Sequence, residues 1–246
     1  MSGHNKWSTI KRKKGALDAK RSKIFSKINK EITVAVKESG PDPDSNPRLR
    51  LAIANAKGAS MPKDNIQRAI SKGSDKDGAS FIECTFEGYA NGGTAIFLEA
   101  TTDNQQRTIS NVRMYFNKYN GSLGTNGSLS FIFDRKGMFT IPQGTLNADD
   151  FEMEMIEAGA EDMQLEEGYF TVTTAMENFG SMMKRLEALK IEPESAQLQR
   201  IPKDTSKVDL ETAKKVMRLV ELFEEDDDIQ AVYHNLEMTD ELMDSL

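Results

Sequence analysis

From Leu17 to Glu38 the apolar residues Leu17, Ile24, Phe25, Ile28, Ile32, Ala35 and Val36 recur at spacings of three, four and seven. That is the period of an amphipathic helix and excludes a strand. At roughly 100° per residue the seven fall within a sector of about 120°, while Lys20, Lys23, Lys27, Lys30 and Lys37 fall within about 100° on the far side. One face is therefore expected in a core and the other is expected to present ammonium groups. Arg21 falls on the apolar side, near the helix start. Ser39-Gly40-Pro41 stops this helix. Asn46-Pro47, an N-cap followed by a first-turn proline, opens a second that runs to about Lys57, with Leu49, Ile53 and Ala56 inward and Gly58 at its end. Met61-Pro62 opens a third, with Ile66, Ala69 and Ile70 inward and Gly73 closing it.

Beyond a linker from Gly73 to Ser80 the period switches to two. Ile82, Cys84 and Phe86 alternate with Glu83, Thr85 and Glu87, and a second strand runs from Thr94 to Ala100 after the Gly88 to Gly93 turn. Gln105 to Tyr119 reads as a helix, and Leu129, Phe131 and Phe133 mark a third strand entered through the glycine-rich stretch Gly121 to Gly127. Strands at 138–141, 162–166, 169–173 and 196–201, with helices at 147–158 and 177–190, make a complete β-α-β-β-α-β unit. A helix from Val208 to Glu224 and a strand from Ile229 to Asn235 follow, too little for a domain of their own. Joined to the strands after residue 80 they complete one, so the unit between is read as inserted. The expected architecture is α+β in three domains. Residues 1–79 form a basic helical domain with an N-terminal arm, 80–135 plus 203–246 a discontinuous α+β domain, and 136–202 an inserted one.

Charge changes the picture most. The first 76 residues hold 18 Lys and Arg against 7 Asp and Glu, a net +11, whereas the remainder holds 14 against 32, a net −18. A basic end on an acidic body points to a polyanion at the basic end, and leaves the body to solubility or to a protein partner. Residues 2–16 follow neither period and carry Lys6, Lys11, Arg12, Lys13 and Lys14, with Trp7 and Ile10 as the only large apolar groups. Such an arm is expected to be mobile when free and to bind phosphate by counterion release, Trp7 either stacking on a base or anchoring the arm to the first helix. The expected nucleic-acid contacts are Lys6, Trp7, Lys11, Arg12, Lys13, Lys14, Lys20, Arg21, Lys23, Lys27 and Lys30. Arg48, Arg50, Lys57, Lys63, Arg68 and Lys72 add to the basic inventory.

Other chemistry is thinly supplied. One cysteine, Cys84, and two histidines, His4 and His234, cannot form a disulfide framework or a Cys/His zinc cluster. Asp42-x-Asp44-x-Asn46 fails as a calcium loop, because Pro47 stands where the sharp-turn glycine belongs and Ile53 where the bidentate glutamate belongs. The Gly121 to Gly127 stretch contains no lysine and leads into a strand, so it reads as turn chemistry, not a phosphate cradle. The acidic run Glu224 to Asp228 is left as a solvated turn or docking surface, and Cys84 as a small core residue. With no Ser/His/Asp or Cys/His arrangement, no cofactor and no metal is expected, and the chain is read as non-enzymatic. No apolar run approaches the roughly 20 residues that cross a bilayer. The expectation is a cytoplasmic monomer.

Several blocks closely resemble the YebC/PmpR family. They are Gly3-His4-x-Lys6-Trp7-x-x-Ile10-Lys11, Asp18-x-Lys20-Arg21-x-Lys23-x-Phe25, Asp44-x-Asn46-Pro47-Arg48-Leu49-Arg50 and Met61-Pro62-Lys63-Asp64-Asn65-Ile66. Further blocks are Phe86-Glu87-Gly88-Tyr89, Thr102-Asp103-Asn104 with Arg107-Thr108, Asn120-Gly121-Ser122-Leu123-Gly124 and Asp227-Asp228-Ile229-Gln230-x-Val232-Tyr233-x-Asn235. The resemblance implies a helical N-terminal domain and two ferredoxin-like α+β domains, one inserted in the other. It further implies a DNA-binding transcriptional regulator or, alternatively, a ribosome-associated, rRNA-binding translation activator that relieves stalling at consecutive prolines. Asn91-Gly92-Gly93 stands where many relatives have Pro-Gly-Gly. Because the first block begins at residue 3, a bacterial chain without an organelle presequence is expected.

Overall fold

The computed structural model describes residues 17–75 and 80–246, with side chains of the first helix described from Arg21 onward. The described residues begin with α1 (Leu17–Ser39), α2 (Pro47–Gly58) and α3 (Lys63–Ser74). Next come β1 (Ile82–Tyr89), β2 (Ala95–Thr102), α4 (Gln105–Lys118) and the two-residue β3 (Ser122–Leu123). The central part holds β4 (Phe133–Pro142), α5 (Ala148–Glu157), β5 (Ala160–Glu166), β6 (Tyr169–Ala175), α6 (Phe179–Ala188) and β7 (Ser195–Pro202). The chain ends with α7 (Leu210–Glu225), β8 (Ile229–His234) and α8 (Asp240–Ser245). The described residues fall into two compact units, one of residues 17–27, 80–134 and 201–246, the other of 28–75 and 135–200.

The first unit is built on an antiparallel sheet of order β3-β1-β2-β8. β1 and β2 pair from Ile82↔Thr102 to Tyr89↔Ala95, and Asn91–Gly93 turns between them with Gly92 and Gly93 at φ 77° and 78°. That left-handed backbone is why the turn uses a glycine pair. β2 is central and buries alternate side chains on both faces. Ile96, Leu98 and Ala100 join Phe86, Val232, Val112, Phe116, Val216, Val220 and Phe223 under α4 and α7, whereas Ala95 and Phe97 meet Leu129, Phe133 and Tyr233 on the other side.

The second unit contains a four-stranded sheet of order β5-β6-β4-β7, the order a ferredoxin-like β-α-β-β-α-β unit produces. Phe139, Ile141, Phe170, Val172 and Ala196 on the sheet pack with Phe151 and Met155 of α5 and Met182 and Leu186 of α6. Here α1 buries Ile28, Ile32, Ala35 and Val36, α2 buries Leu49, Ala52 and Ala56, and α3 buries Ile66 and Ala69. Asn46 joins two helices. Its amide donates to Ala35 O at 2.7 Å and Gly40 O at 2.9 Å, while its Oδ1 accepts the Leu49 N–H at 3.0 Å. Asn55 of α2 pairs with the backbone of Ala196 through both ends of its amide, at 3.0 and 2.9 Å, and so imitates a strand at the edge of β7.

Four expectations need correction. Residues 128–132 form successive turns in place of a third strand, with Phe131 67% exposed; the third strand is Ser122–Leu123, and Phe133 opens β4. The alternation of Leu129, Phe131 and Phe133 comes from turns that bury the first and third against the sheet and leave the second in solvent. Gly73 does not end its helix. A Cβ there would sit 2.7 Å from Val36 Cβ, so the glycine permits close packing of α3 on α1. Ile24, expected in the apolar sector, is 48% exposed. Finally, the C-terminal helix Asp240–Ser245, N-capped by Thr239, was not expected.

Candidate nucleic-acid interface

The expected contacts Lys6, Trp7, Lys11, Arg12, Lys13 and Lys14 lie outside the described residues, as does the side chain of Lys20 within α1. The remaining four lie along α1. Arg21 is exposed, with its guanidinium carbon 6.0 Å from the centroid of the Phe25 ring one turn on. Lys23 and Lys27 are half-buried and turned onto the chain itself. The Lys23 ammonium donates to Glu225 O at 3.1 Å and that of Lys27 to Gln230 O at 3.4 Å. Lys30 is half-buried as well. The lysine stripe is thus not a uniformly solvated face, and its middle meets the junction between α7 and β8.

Other cations are more open. Arg50 and Lys57 stand two turns apart on the outer side of α2, and Lys63, Arg68 and Lys72 are exposed on α3. They were counted in the sequence but not expected as contacts. The helical period identifies them, since Leu49, Ala52 and Ala56 define an inner side that leaves positions 50 and 57 outward. Arg48 is held by Glu38 at 2.9 Å.

Several motif blocks converge on one polar cluster. The buried Asp228 carboxylate, 5% exposed, accepts from Arg107 Nη2 at 2.7 Å and Thr108 Oγ1 at 3.0 Å. The Thr102 hydroxyl lies 2.9 Å from Thr108 Oγ1, placed to donate to it, and Asn104 caps α4 by accepting the Arg107 N–H at 3.0 Å. Hydrogen bonds to Asp228 and then to Asp103 push the Arg107 guanidinium further above its ordinary range. Asp226 folds back as well, accepting the Asp228 N–H at 2.9 Å and the Asn111 amide at 3.3 Å. Part of the acidic run is therefore built into the turn, a correction to its reading as solvated. Among the described residues no group of three or more His, Cys, Asp or Glu is placed to hold a metal ion.

The glycine-rich stretch closes on a buried carboxylate. Glu87, 3% exposed, accepts the N–H of Gly127 at 2.7 Å and of Leu129 at 2.6 Å, with Ser128 Oγ at 3.4 Å. The amides that would cradle a phosphate are taken by the protein's own anion. Cys84, half-buried on β1 against the α4/α7 core, has its thiol pushed up by burial and secondarily by Asp228, which keeps it protonated and unreactive. His234 is buried at the end of β8.

Residues 5–76 match the sequence profile described as "TACO1/YebC protein N-terminal domain", and residues 81–236 that described as "TACO1/YebC second and third domain". The chain belongs to the TACO1/YebC family. It is 52% identical over 239 residues to a "Probable transcriptional regulatory protein" of Amoebophilus asiaticus, covering 96% of this chain and 98% of that one. A protein of Fusobacterium nucleatum, likewise named a probable transcriptional regulatory protein, is 47% identical over 248 residues and covers both chains in full. The crystal structure of a conserved hypothetical protein from Aquifex aeolicus superposes with a TM-score of 0.82 at 44% identity, over 91% of this chain and 93% of that one. The TACO1/YebC assignment agrees with the blocks read in sequence, of which the fold joins those around Thr102 to Thr108 and Asp228 and, through Gly88↔Leu123, those around Glu87 and Ser122. No helix among the described residues is long and apolar enough to cross a membrane.

Proposed function

We propose that this protein is a non-enzymatic, nucleic-acid-binding regulator of gene expression, acting as a monomer in the cytoplasm, whose basic N-terminal end grips a phosphate backbone. Segregation of charge carries the reading: +11 over the first 76 residues against −18 over the rest. A folded body with that asymmetry is steered to a polyanion by one end and repelled by the other. The exposed cations of α2 and α3 extend the basic stock beyond the arm and α1. The names of the relatives support transcription as the process, and duplex DNA is the polymer that this process would present. Contacts made mainly by lysine hold phosphates and carry little sequence information, so binding is expected to be only weakly selective among duplexes.

A second reading, ribosomal RNA bound on the ribosome with relief of stalls at consecutive prolines, draws on the same lysines. It is favoured by the arm's single aromatic and its shortage of arginine and asparagine reading heads, a composition that suits irregular RNA. In either case the acidic remainder is free to meet a protein partner. Lysate fractionated on a sucrose gradient with and without RNase separates the two. Co-sedimentation with ribosomes that RNase abolishes selects the RNA reading, whereas protein at the top of the gradient that enriches promoter DNA on immunoprecipitation selects transcription. If purified protein binds neither duplex DNA nor ribosomal RNA at low ionic strength, both readings fail.

A further inference from the structure

Lys23 and Lys27 stand one turn apart on α1, and both place their ammonium groups on main-chain oxygens where α7 gives way to β8. Glu225 O belongs to the last turn of α7, where carbonyls lack intrahelical partners and the helix dipole is negative. The run Glu224 to Asp228 lies along this same junction. Two of its carboxylates are committed inward, Asp228 to Arg107 and Thr108 and Asp226 to its own turn and Asn111. Glu225 and Asp227 are exposed and Glu224 is half-buried, so three more acidic residues stand in the same run as the Glu225 carbonyl that holds Lys23. The end of α7 thus occupies Lys23, and the start of β8 just beyond the acidic run occupies Lys27, two cations that the helical period assigns to the phosphate-facing stripe.

We propose that the end of α7 and the acidic run act as an internal phosphate substitute, which holds Lys23 and Lys27 until a nucleic acid displaces it. The inference rests on the nucleic-acid reading above and adds regulation to the same site. An ammonium has three protons, but a lysine side chain folded back onto these carbonyls is not extended toward a phosphate, so the two positions of the side chain compete. Contacts of partly exposed lysines are weak enough to exchange, and together two of them alter affinity by about 3- to 10-fold. The competition selects for charge density. Inorganic phosphate or a mononucleotide offers too little charge to displace the run, whereas a polymer recruits both lysines at once.

The experiment is a double-mutant cycle on the full chain, read by fluorescence anisotropy against a labelled duplex DNA and a labelled ribosomal RNA fragment at fixed ionic strength. Four proteins are compared: the unaltered chain, Glu224→Gln/Glu225→Gln/Asp227→Asn, Lys23→Gln/Lys27→Gln, and the combination of all five substitutions, each melted to confirm folding. Neutralising the run is expected to tighten binding about 3- to 10-fold, and the gain is expected to vanish when Lys23 and Lys27 are already glutamine. An equal gain in both lysine backgrounds would mean general charge reduction and overturns the proposal, as does no gain at all. Failure of all four proteins to bind either polymer sinks the nucleic-acid reading, and this inference with it.

Discussion

Glu87 is a carboxylate with almost no access to solvent, accepting two backbone N–H groups of the loop that folds over it. In Glu87→Gln the amide turns at least one donor toward another donor, and an unsatisfied buried N–H costs about 1–3 kcal/mol. Urea denaturation should show that loss, with Leu129 and the loop from residue 124 to 130 gaining hydrogen exchange first. Asp228 presents a related case with a different weight. Its partner Arg107 keeps about half of its side chain in solvent, so screening discounts the ion pair, and Asp228→Ala, which removes the one oxygen that accepts from both Arg107 and Thr108, is expected to cost about 1–3 kcal/mol, mostly through the buried bond to Thr108. Cys84 supplies a pH dependence. Burial raises the thiol, so the folded chain keeps a proton that the unfolded chain releases. Its contribution is complete below the ionisation of a free thiol and is lost as pH rises through the folded value. Iodoacetamide at mildly alkaline pH should therefore alkylate native protein at least about 10-fold more slowly than urea-unfolded protein. Equal rates would place the thiol in solvent.

Glycine substitutions separate packing from propensity at the scale of the element. Gly73 of α3 and Gly180 of α6 are both helical. In a helix interior alanine is favoured over glycine by about 1 kcal/mol, and by less at Gly180, the second residue of α6, and at Gly73, the next to last of α3. A Cβ on Gly180 meets nothing within 4 Å, so Gly180→Ala is expected to stabilise by about 0.5–1 kcal/mol. A Cβ on Gly73 would lie 2.7 Å from Val36 Cβ and 3.0 Å from Thr33 O, and overpacking of about 1–3 kcal/mol outweighs the propensity gain. Opposite signs in thermal melts are the expected outcome. This contrast also shows what could be read in advance. Periodicity located α1, α2, α3, α4 and α7, because each buries a stripe whose spacing is written in the chain itself. It could not tell a glycine that stops a helix from one that lets two helices touch, since Val36 lies 37 residues before Gly73. For the same reason Asn46 was legible as a cap but not as the donor to Ala35 and Gly40. The alternation of Leu129, Phe131 and Phe133 imitated a strand because local pattern cannot distinguish a pleat from consecutive turns beneath a neighbouring sheet. Among the candidate contacts, the lysine stripe was visible in sequence, but its capture by Glu225 and Gln230 depends on a fold that joins residues some two hundred positions apart.

Over the whole molecule, the arm and the body should contribute to binding in ways that salt can resolve. Each phosphate neutralised releases condensed counterions, and the slope of log K against log salt changes by about 0.9 per contact on duplex DNA and about 0.7 on single strands. Replacing Lys11, Arg12, Lys13 and Lys14 together with alanine removes four cations from the arm, so the slope should become shallower by about 3–4 on duplex DNA if all of them reach phosphates. Because such contacts read no base edges, the loss of affinity should be the same for unrelated sequences. For an arm that only grips phosphate, melting temperature should stay within about 1 °C, a limit consistent with surface substitutions of within ±0.5 kcal/mol. A shallower slope with equal losses across sequences places the arm on the backbone. A loss confined to one sequence would instead make it a reader of bases, and an unchanged slope would move the phosphate grip to the exposed cations Arg50, Lys57, Lys63, Arg68 and Lys72 of α2 and α3.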